Sequence, residues 1–87
     1  PMPINQRAEM LLVHIQTRIK TIGDTIKVPP AGQDEKLLAW TESVKMNEVS
    51  YLFDFLERLA WIERKKPESP DGTKEYSITP QGYLRLE

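Results

Sequence analysis

Apolar residues recur at helical spacing in two long segments of the chain. The first begins at Asn5 and ends near Thr21, and its apolar residues follow at spacings of four, three, four and three. This spacing places them on one face of an amphipathic helix. Gly23 and Asp24 follow, and because glycine is the usual residue of a left-handed cap, we expect the helix to stop there. The predicted inward residues are Ala8, Leu12, Ile15, Ile19 and Ile22.

The second segment begins near Asn47, whose side chain can cap a helix, and Glu48 suits the positive end of the helix dipole. Its apolar residues repeat at i, i+3, i+4 and i+7. Between the two segments Asp34 can cap a shorter helix, which makes the helix at Asn47 the third one predicted. The short helix carries Leu37, Leu38 and Trp40, and the third helix turns Val49, Leu52, Phe53, Leu56, Leu59 and Ala60 inward.

Alternation at two-residue spacing predicts three short strands. Residues 25–28 are rich in β-branched side chains and direct Ile26 and Val28 inward. Two prolines and a glycine at 29–32 then predict an extended turn.

A hairpin follows the third helix. Residues 61–65 and 74–78 are both extended, and the loop between them ends in Asp71-Gly72, which is typical of a hairpin tip. We expect Tyr76 and Ile78 to point into the core.

Thr79 and Pro80 predict a fourth helix, since threonine caps helices and proline suits their first position. The order helix, strand, helix, helix, hairpin and helix start predicts an α+β fold, in which three helices pack on one face of a small antiparallel sheet. We expect residues 1–87 to form a single domain. Because the chain begins Pro1-Met2-Pro3, we also expect it to be a fragment of a longer protein.

Two stretches carry a family resemblance: "FLERLAWIERK" and "EYSITPQGYLRL". They resemble the third helix, the wing and the Tyr-x-Leu/Ile-Thr-Pro-x-Gly closing motif of the winged helix-turn-helix superfamily. The segments "RIKTIGDTIKV", "LLAWTES" and "NEVSYLFDFLERLAWI" are similar to a small winged-helix module attached to larger bacterial multidomain proteins. The resemblance covers nearly the whole chain and implies a winged helix. Its motifs are mainly structural, so it does not name a ligand.

Charge argues against a third helix that reads a DNA groove. The chain has a net charge of −1, and residues 31–62 carry three basic and six acidic groups. The exposed side of the third helix would present three carboxylates and one arginine, and carboxylates repel the phosphates that line a groove. These four residues are Glu48, Asp54, Glu57 and Arg58.

The aromatic residues favour docking to a protein. Phe53 and Tyr76 fall on inward faces, whereas Phe55 lies off the apolar stripe, and aromatic side chains often anchor interfaces. We therefore predict contact with another protein, a neighbouring domain or a second copy of the chain. The candidate protein-contact residues are Tyr51, Asp54, Phe55, Arg58 and Trp61.

Nucleic-acid binding through the wing is the alternative hypothesis. Basic side chains of the hairpin can lie along a phosphate backbone, although acidic residues are interleaved with them. These acidic residues are Glu63, Glu68, Asp71 and Glu75. Polar groups near the start of the third helix could also reach base edges. The candidate nucleic-acid contacts are Asn47, Ser50, Arg64, Lys65, Lys66 and Lys74.

Other classes of function find little support in the sequence. No apolar run approaches the roughly 20 residues of a membrane helix. The chain has no cysteine, which fits a cytoplasmic setting, and its one histidine, His14, has no companion ligands for a metal. No catalytic or nucleotide-binding motif is present. We therefore expect neither enzyme activity nor a cofactor.

Overall fold

The computed structural model describes residues 3–28 and 46–87, with only the backbone described at 46–48. The predicted turn at 29–32 and the predicted short helix with Leu37, Leu38 and Trp40 lie outside these residues. The elements are α1 (Ile4–Arg18), β1 (Ile26–Val28), α2 (Met46–Arg58), β2 (Ile62–Arg64), β3 (Lys74–Ile78) and α3 (Pro80–Leu86). Helix α2 is the predicted third helix, and α3 is the predicted fourth.

The three strands form one antiparallel sheet in the order β1-β3-β2. Tyr76 of the central strand is aligned with Ile26 of β1 on one side and with Arg64 of β2 on the other. This confirms that the first strand pairs with the C-terminal hairpin. In the hairpin loop Gly72 has a φ of 88°, a conformation that glycine adopts without strain. The architecture is α+β and is compatible with a winged-helix-like fold.

The helices and one face of the sheet enclose a single apolar core. The ring of Phe53 in α2 stacks on Tyr76 with a centroid distance of 5.2 Å, which joins the helix to the sheet. Removing such side chains from water is the main force that holds the elements together. The buried apolar residues are Ala8, Leu11, Leu12, Ile15, Ile19, Ile26, Val28, Val49, Leu52, Phe53, Leu56, Ile62, Tyr76 and Ile78.

The end of α1 differs from the prediction. The helix stops at Arg18, and Ile19 is already extended, with φ −105° and ψ 111°. Helical spacing no longer applies beyond this point, so Ile22 is 81% exposed and its predicted inward position is wrong. Gly23, with a φ of 96°, belongs to a separate turn before β1 and does not cap the helix.

The end of α2 also differs, because the chain leaves the helix at Arg58. The Trp61 N–H donates to the Leu56 carbonyl at 3.1 Å, and the Ala60 N–H donates to the Glu57 carbonyl at 3.0 Å. These two bonds form a Schellman cap with Ala60 at the left-handed position, where its φ is 61°. Ala60 is consequently exposed, and its predicted place on the inward stripe is wrong.

Helix α3 begins as predicted. The Thr79 hydroxyl accepts a hydrogen bond from the Gly82 N–H at 3.0 Å, and Pro80 occupies the first turn, where its missing N–H costs nothing. Gly82 is buried against the loop after α2, and a Cβ atom there would overlap the carbonyl oxygen of Trp61. This close approach seats α3 directly on the Trp61 backbone.

Candidate protein-contact surface

Four of the five candidate protein-contact residues share one face of α2. Tyr51, Asp54, Phe55 and Arg58 are spaced at i, i+3, i+4 and i+7, which makes them neighbours on a helix. We call this set the α2 surface. Tyr51 is 58% exposed, Asp54 and Arg58 are exposed, and Phe55 is half-buried. The opposite side of the same helix supplies four residues of the core, so this face is held in place by the packing behind it.

The two aromatic rings of the α2 surface stack on each other. The centroids of Tyr51 and Phe55 are 6.5 Å apart, and the ring planes differ by 21°. Phe55 packs against the core on its inner side and therefore supports the Tyr51 ring from below. The surface can offer a partner a flat apolar ring with a hydroxyl at its tip, flanked by one carboxylate and one guanidinium.

Trp61 occupies a different environment. Its ring lies under the guanidinium of Arg85 in α3, 5.3 Å from the ring centroid, and Arg85 also forms an ion pair with Glu9 of α1. A cation above an aromatic ring is a favourable contact. In the described part of the chain no ring contact joins Trp61 to Tyr51 or Phe55. The structure therefore brings four of the predicted residues together and places the fifth at the junction with α3.

At the base of the hairpin, Arg64 lies between two carboxylates. Its guanidinium donates to Glu57 of α2 at 3.1 Å and to Glu68 of the hairpin loop at 2.6 Å. We call these three residues the Arg64 network. The hydrogen bonds that Arg64 donates to Glu68 and, to a smaller extent, to Glu57 raise the pKa of Arg64 above its ordinary value. The network has one positive and two negative charges, so Arg64 is already neutralised within the chain.

Sequence reasoning missed the Arg64 network. It placed Glu57 on the exposed side of the third helix, whereas the structure half-buries this residue against the hairpin. The only indication of this network in the sequence was the opposite charge of the residues at positions 57, 64 and 68. Two buried atoms of the network, Glu57 Oε1 and Arg64 Nε, have no hydrogen-bond partner.

The other basic residues of the wing fall into two groups. The Lys65 ammonium is 3.9 Å from a Glu75 oxygen that also accepts a hydrogen bond from the Thr25 hydroxyl. Lys66 is exposed and Lys74 is half-buried, and neither forms an ion pair with any described residue. Of the four basic wing residues predicted to contact phosphate, Arg64 and Lys65 therefore lie beside carboxylates of the same chain, whereas Lys66 and Lys74 have no ion pair among the described residues.

The two remaining nucleic-acid candidates lie at the start of α2. Asn47 is already a helical residue, because the helix begins at Met46, so its predicted role as the cap is wrong. Ser50 is exposed one turn further along.

Tyr76 connects the core to the charged base of the hairpin. It is 1% exposed, and this burial raises its pKa to about 12, with a further contribution from the negative charge of Glu57. Burial disfavours the charged phenolate more than the neutral phenol, so the hydroxyl stays protonated at pH values where an exposed tyrosine would ionise.

An open groove of about 1420 Å³ borders β2 and continues past Ser77 of β3 to Thr25 before β1. Glu57 and Arg64 line it on one side of the strand, and Glu63 and Lys65 line it on the other. The groove thus reaches both faces of the sheet at its β2 edge.

Metal and membrane contacts receive no support from the described residues. In ranges 3–28 and 46–87 no group of three or more His, Cys, Asp or Glu side chains is arranged to hold a metal. None of the described helices has the length and apolar character needed to cross a bilayer.

Comparison with known proteins adds no assignment. No family model, no curated protein and no solved structure matches the chain.

Proposed function

We propose that the chain is a non-catalytic winged-helix docking module of a larger bacterial protein, and that it holds a protein partner or a neighbouring domain on the α2 surface. The observation that carries this proposal is the Tyr51 ring, which is 58% exposed and stacked on Phe55. A cytoplasmic setting belongs to the same proposal, since the chain has no cysteine.

Rigidity and composition of the α2 surface support the proposal. Tyr and Trp are enriched among the residues that dominate interface energies, and they perform best when their conformation is fixed before binding. Phe55 provides that support for Tyr51. Asp54 and Arg58 add exposed groups of both signs, which suits the polar rim of an interface.

Nucleic-acid binding by the wing is the second candidate. Lys66 and Lys74 favour it, because they lack ion pairs among the described residues. Arg64 and Lys65 weigh against it, since carboxylates of the same chain lie beside both. A phosphate would have to compete with those carboxylates for the same cations.

Photocrosslinking from position 51 tests the docking proposal. A benzoylphenylalanine at Tyr51, introduced into the chain in its native cell, should crosslink to one discrete protein or neighbouring domain. The same probe at Val13, an apolar α1 residue that is 49% exposed, is the matched control and should give no such product. Equal crosslinking from the two positions, or none from Tyr51, would contradict the proposal.

Duplex binding at low salt tests the second candidate. Affinity for a random-sequence duplex that falls steeply with salt, and that drops when Lys66→Glu and Lys74→Glu are combined, would support phosphate contact by the wing. Absence of binding at about 20 mM salt, where release of counterions favours it most, would exclude the wing as a phosphate site.

A further inference from the structure

The hydrogen bonds between β2 and β3 determine which way each residue of β2 faces. The Thr79 N–H donates to the Trp61 carbonyl at 3.1 Å, and the Lys65 N–H donates to the Glu75 carbonyl at 2.8 Å. In an antiparallel pair such contacts recur at every second residue. The odd-numbered residues of β2 therefore direct their backbone groups towards β3.

The even-numbered residues of β2 point the other way. Ile62 and Arg64 direct their N–H and C=O groups to the open edge of the sheet, where no described residue forms a backbone hydrogen bond with them. The side chains of Glu63 and Lys65 on the outer face beside this edge are exposed. Backbone groups that have no backbone hydrogen-bond partner within ranges 3–28 and 46–87 are a template for another strand, which would lie about 4.8 Å away.

The opposite edge of the sheet, at β1, directs fewer backbone N–H and C=O groups outward. By the same alternation, β1 directs only Lys27 outward, because Ile26 and Val28 are bonded to β3. At the other edge two residues of β2, Ile62 and Arg64, direct such groups outward. The open edge at β2 is the better template of the two.

The side chains of β2 complement those of a second copy in one register. If Arg64 lies opposite Arg64 of the partner subunit in an antiparallel pair, Glu63 lies opposite Lys65 of the partner subunit. The two-fold axis repeats this contact, which gives two pairs of opposite charge on the outer face. This register also sets Arg64 opposite Arg64 of the partner subunit, but Glu57 and Glu68 of the same chain neutralise each guanidinium. A register centred on Glu63 would set two glutamates against each other, and no described residue forms an ion pair with Glu63.

We infer that β2 pairs antiparallel with β2 of a second copy of this chain, across a two-fold axis at Arg64, so that the two three-stranded sheets become one. The inference rests on the strand edge and is independent of the α2 surface.

Charge reversal tests the register. Sedimentation equilibrium should detect a dimer of the wild-type chain, and Glu63→Lys or Lys65→Glu alone should weaken it by roughly tenfold or more, since each sets like charges opposite one another. An equimolar mixture of the two variants should restore the dimer as a heterodimer. If the chains in the mixture associate no more tightly than either variant does alone, the proposed register is overturned.

A proline at the open edge tests the backbone pairing. Arg64→Pro removes an N–H that the sheet of the single chain does not use, and Arg64→Ala is the matched control because it removes the same side chain. Both should fold, as judged by circular dichroism, and the proline variant should associate at least about tenfold more weakly than the alanine variant. Equal association of the two variants would overturn the inference.

The oligomeric state itself provides the remaining outcomes. A wild-type chain that stays monomeric up to about 1 mM would overturn the inference, since an association that weak is worth only about 4 kcal/mol. A dimer that is lost on Tyr51→Ala but kept on Arg64→Pro would place the contact on the α2 surface, which also overturns pairing through β2.

Discussion

Two stacked aromatic pairs start from neighbouring positions of α2 and end in opposite environments. Phe53 stacks on Tyr76 with centroids 5.2 Å apart, and both rings are at most 2% exposed. Tyr51 stacks on Phe55 at 6.5 Å, yet 58% of Tyr51 is exposed. Two residues advance a helix by about 200°, so Phe53 faces the sheet and Tyr51 faces away from it.

The difference shows that an aromatic stack has no fixed role. In the buried pair the contact joins a helix to a strand and removes two rings from water, so its free energy stabilises the fold. In the exposed pair both residues belong to the same helix, so their contact connects no separate elements. Under the proposed docking function, this contact fixes the Tyr51 ring before a partner binds.

Phe53→Ala should have the largest effect on the free energy of unfolding. It removes a core side chain and leaves a cavity against Tyr76, for which a loss of about 3–5 kcal/mol is typical. Urea denaturation followed by circular dichroism measures this loss. A loss of less than about 1 kcal/mol would break the comparison, because the buried pair would then contribute no more than the exposed one.

The pH dependence of stability should sharpen the comparison through the hydroxyl of Tyr76. Its pKa is about 12 in the folded chain and about 10 in an unfolded one. Below pH 10 the phenol is protonated in both states, so its contribution to stability is fully present. Between pH 10 and 12 the unfolded state loses the proton first, and the free energy of unfolding should fall by about 1.4 kcal/mol per pH unit.

Tyr76→Phe isolates this effect, because the two proteins differ only by this hydroxyl. The stability difference between wild type and Tyr76→Phe should change from pH 10 to pH 12 in the direction that disfavours the wild type. A difference that stays constant over this range would show that burial does not hold the hydroxyl protonated.

The elements that local chemistry determines could be predicted from the sequence. The inward stripe of α2 from Val49 to Leu56, the alternation of β1 and the Thr79 cap each depend on residues close together in the chain. The errors in the helices occurred at their ends, at the predicted Asn47 cap of α2 and at the last residues of α1 and α2. Nothing in the spacing of Ile22 shows that the chain has already left the helix, and an alanine is not the usual signal for a left-handed cap.

For the candidate sites, too, local relations could be predicted from the sequence and tertiary contacts could not. Helical spacing was sufficient to gather Tyr51, Asp54, Phe55 and Arg58 on one face. The pairing of Arg64 with Glu57 depends on how the hairpin folds back against α2, which is a tertiary relation that no local pattern encodes. Trp61 likewise meets Arg85 only because Gly82 lets α3 approach its backbone.

Tyr51→Ala should have the smallest effect on stability. The variant loses an i, i+4 aromatic contact worth about 0.2–0.5 kcal/mol, but alanine favours the helix over tyrosine by a similar amount. The free energy of unfolding should therefore change by less than about 0.5 kcal/mol. Phe55→Ala is the informative contrast and should cost more, since Phe55 also packs on the core. A large loss for Tyr51→Ala would mean that the exposed pair, like the buried one, serves the fold, and the reason for assigning it to a partner would disappear.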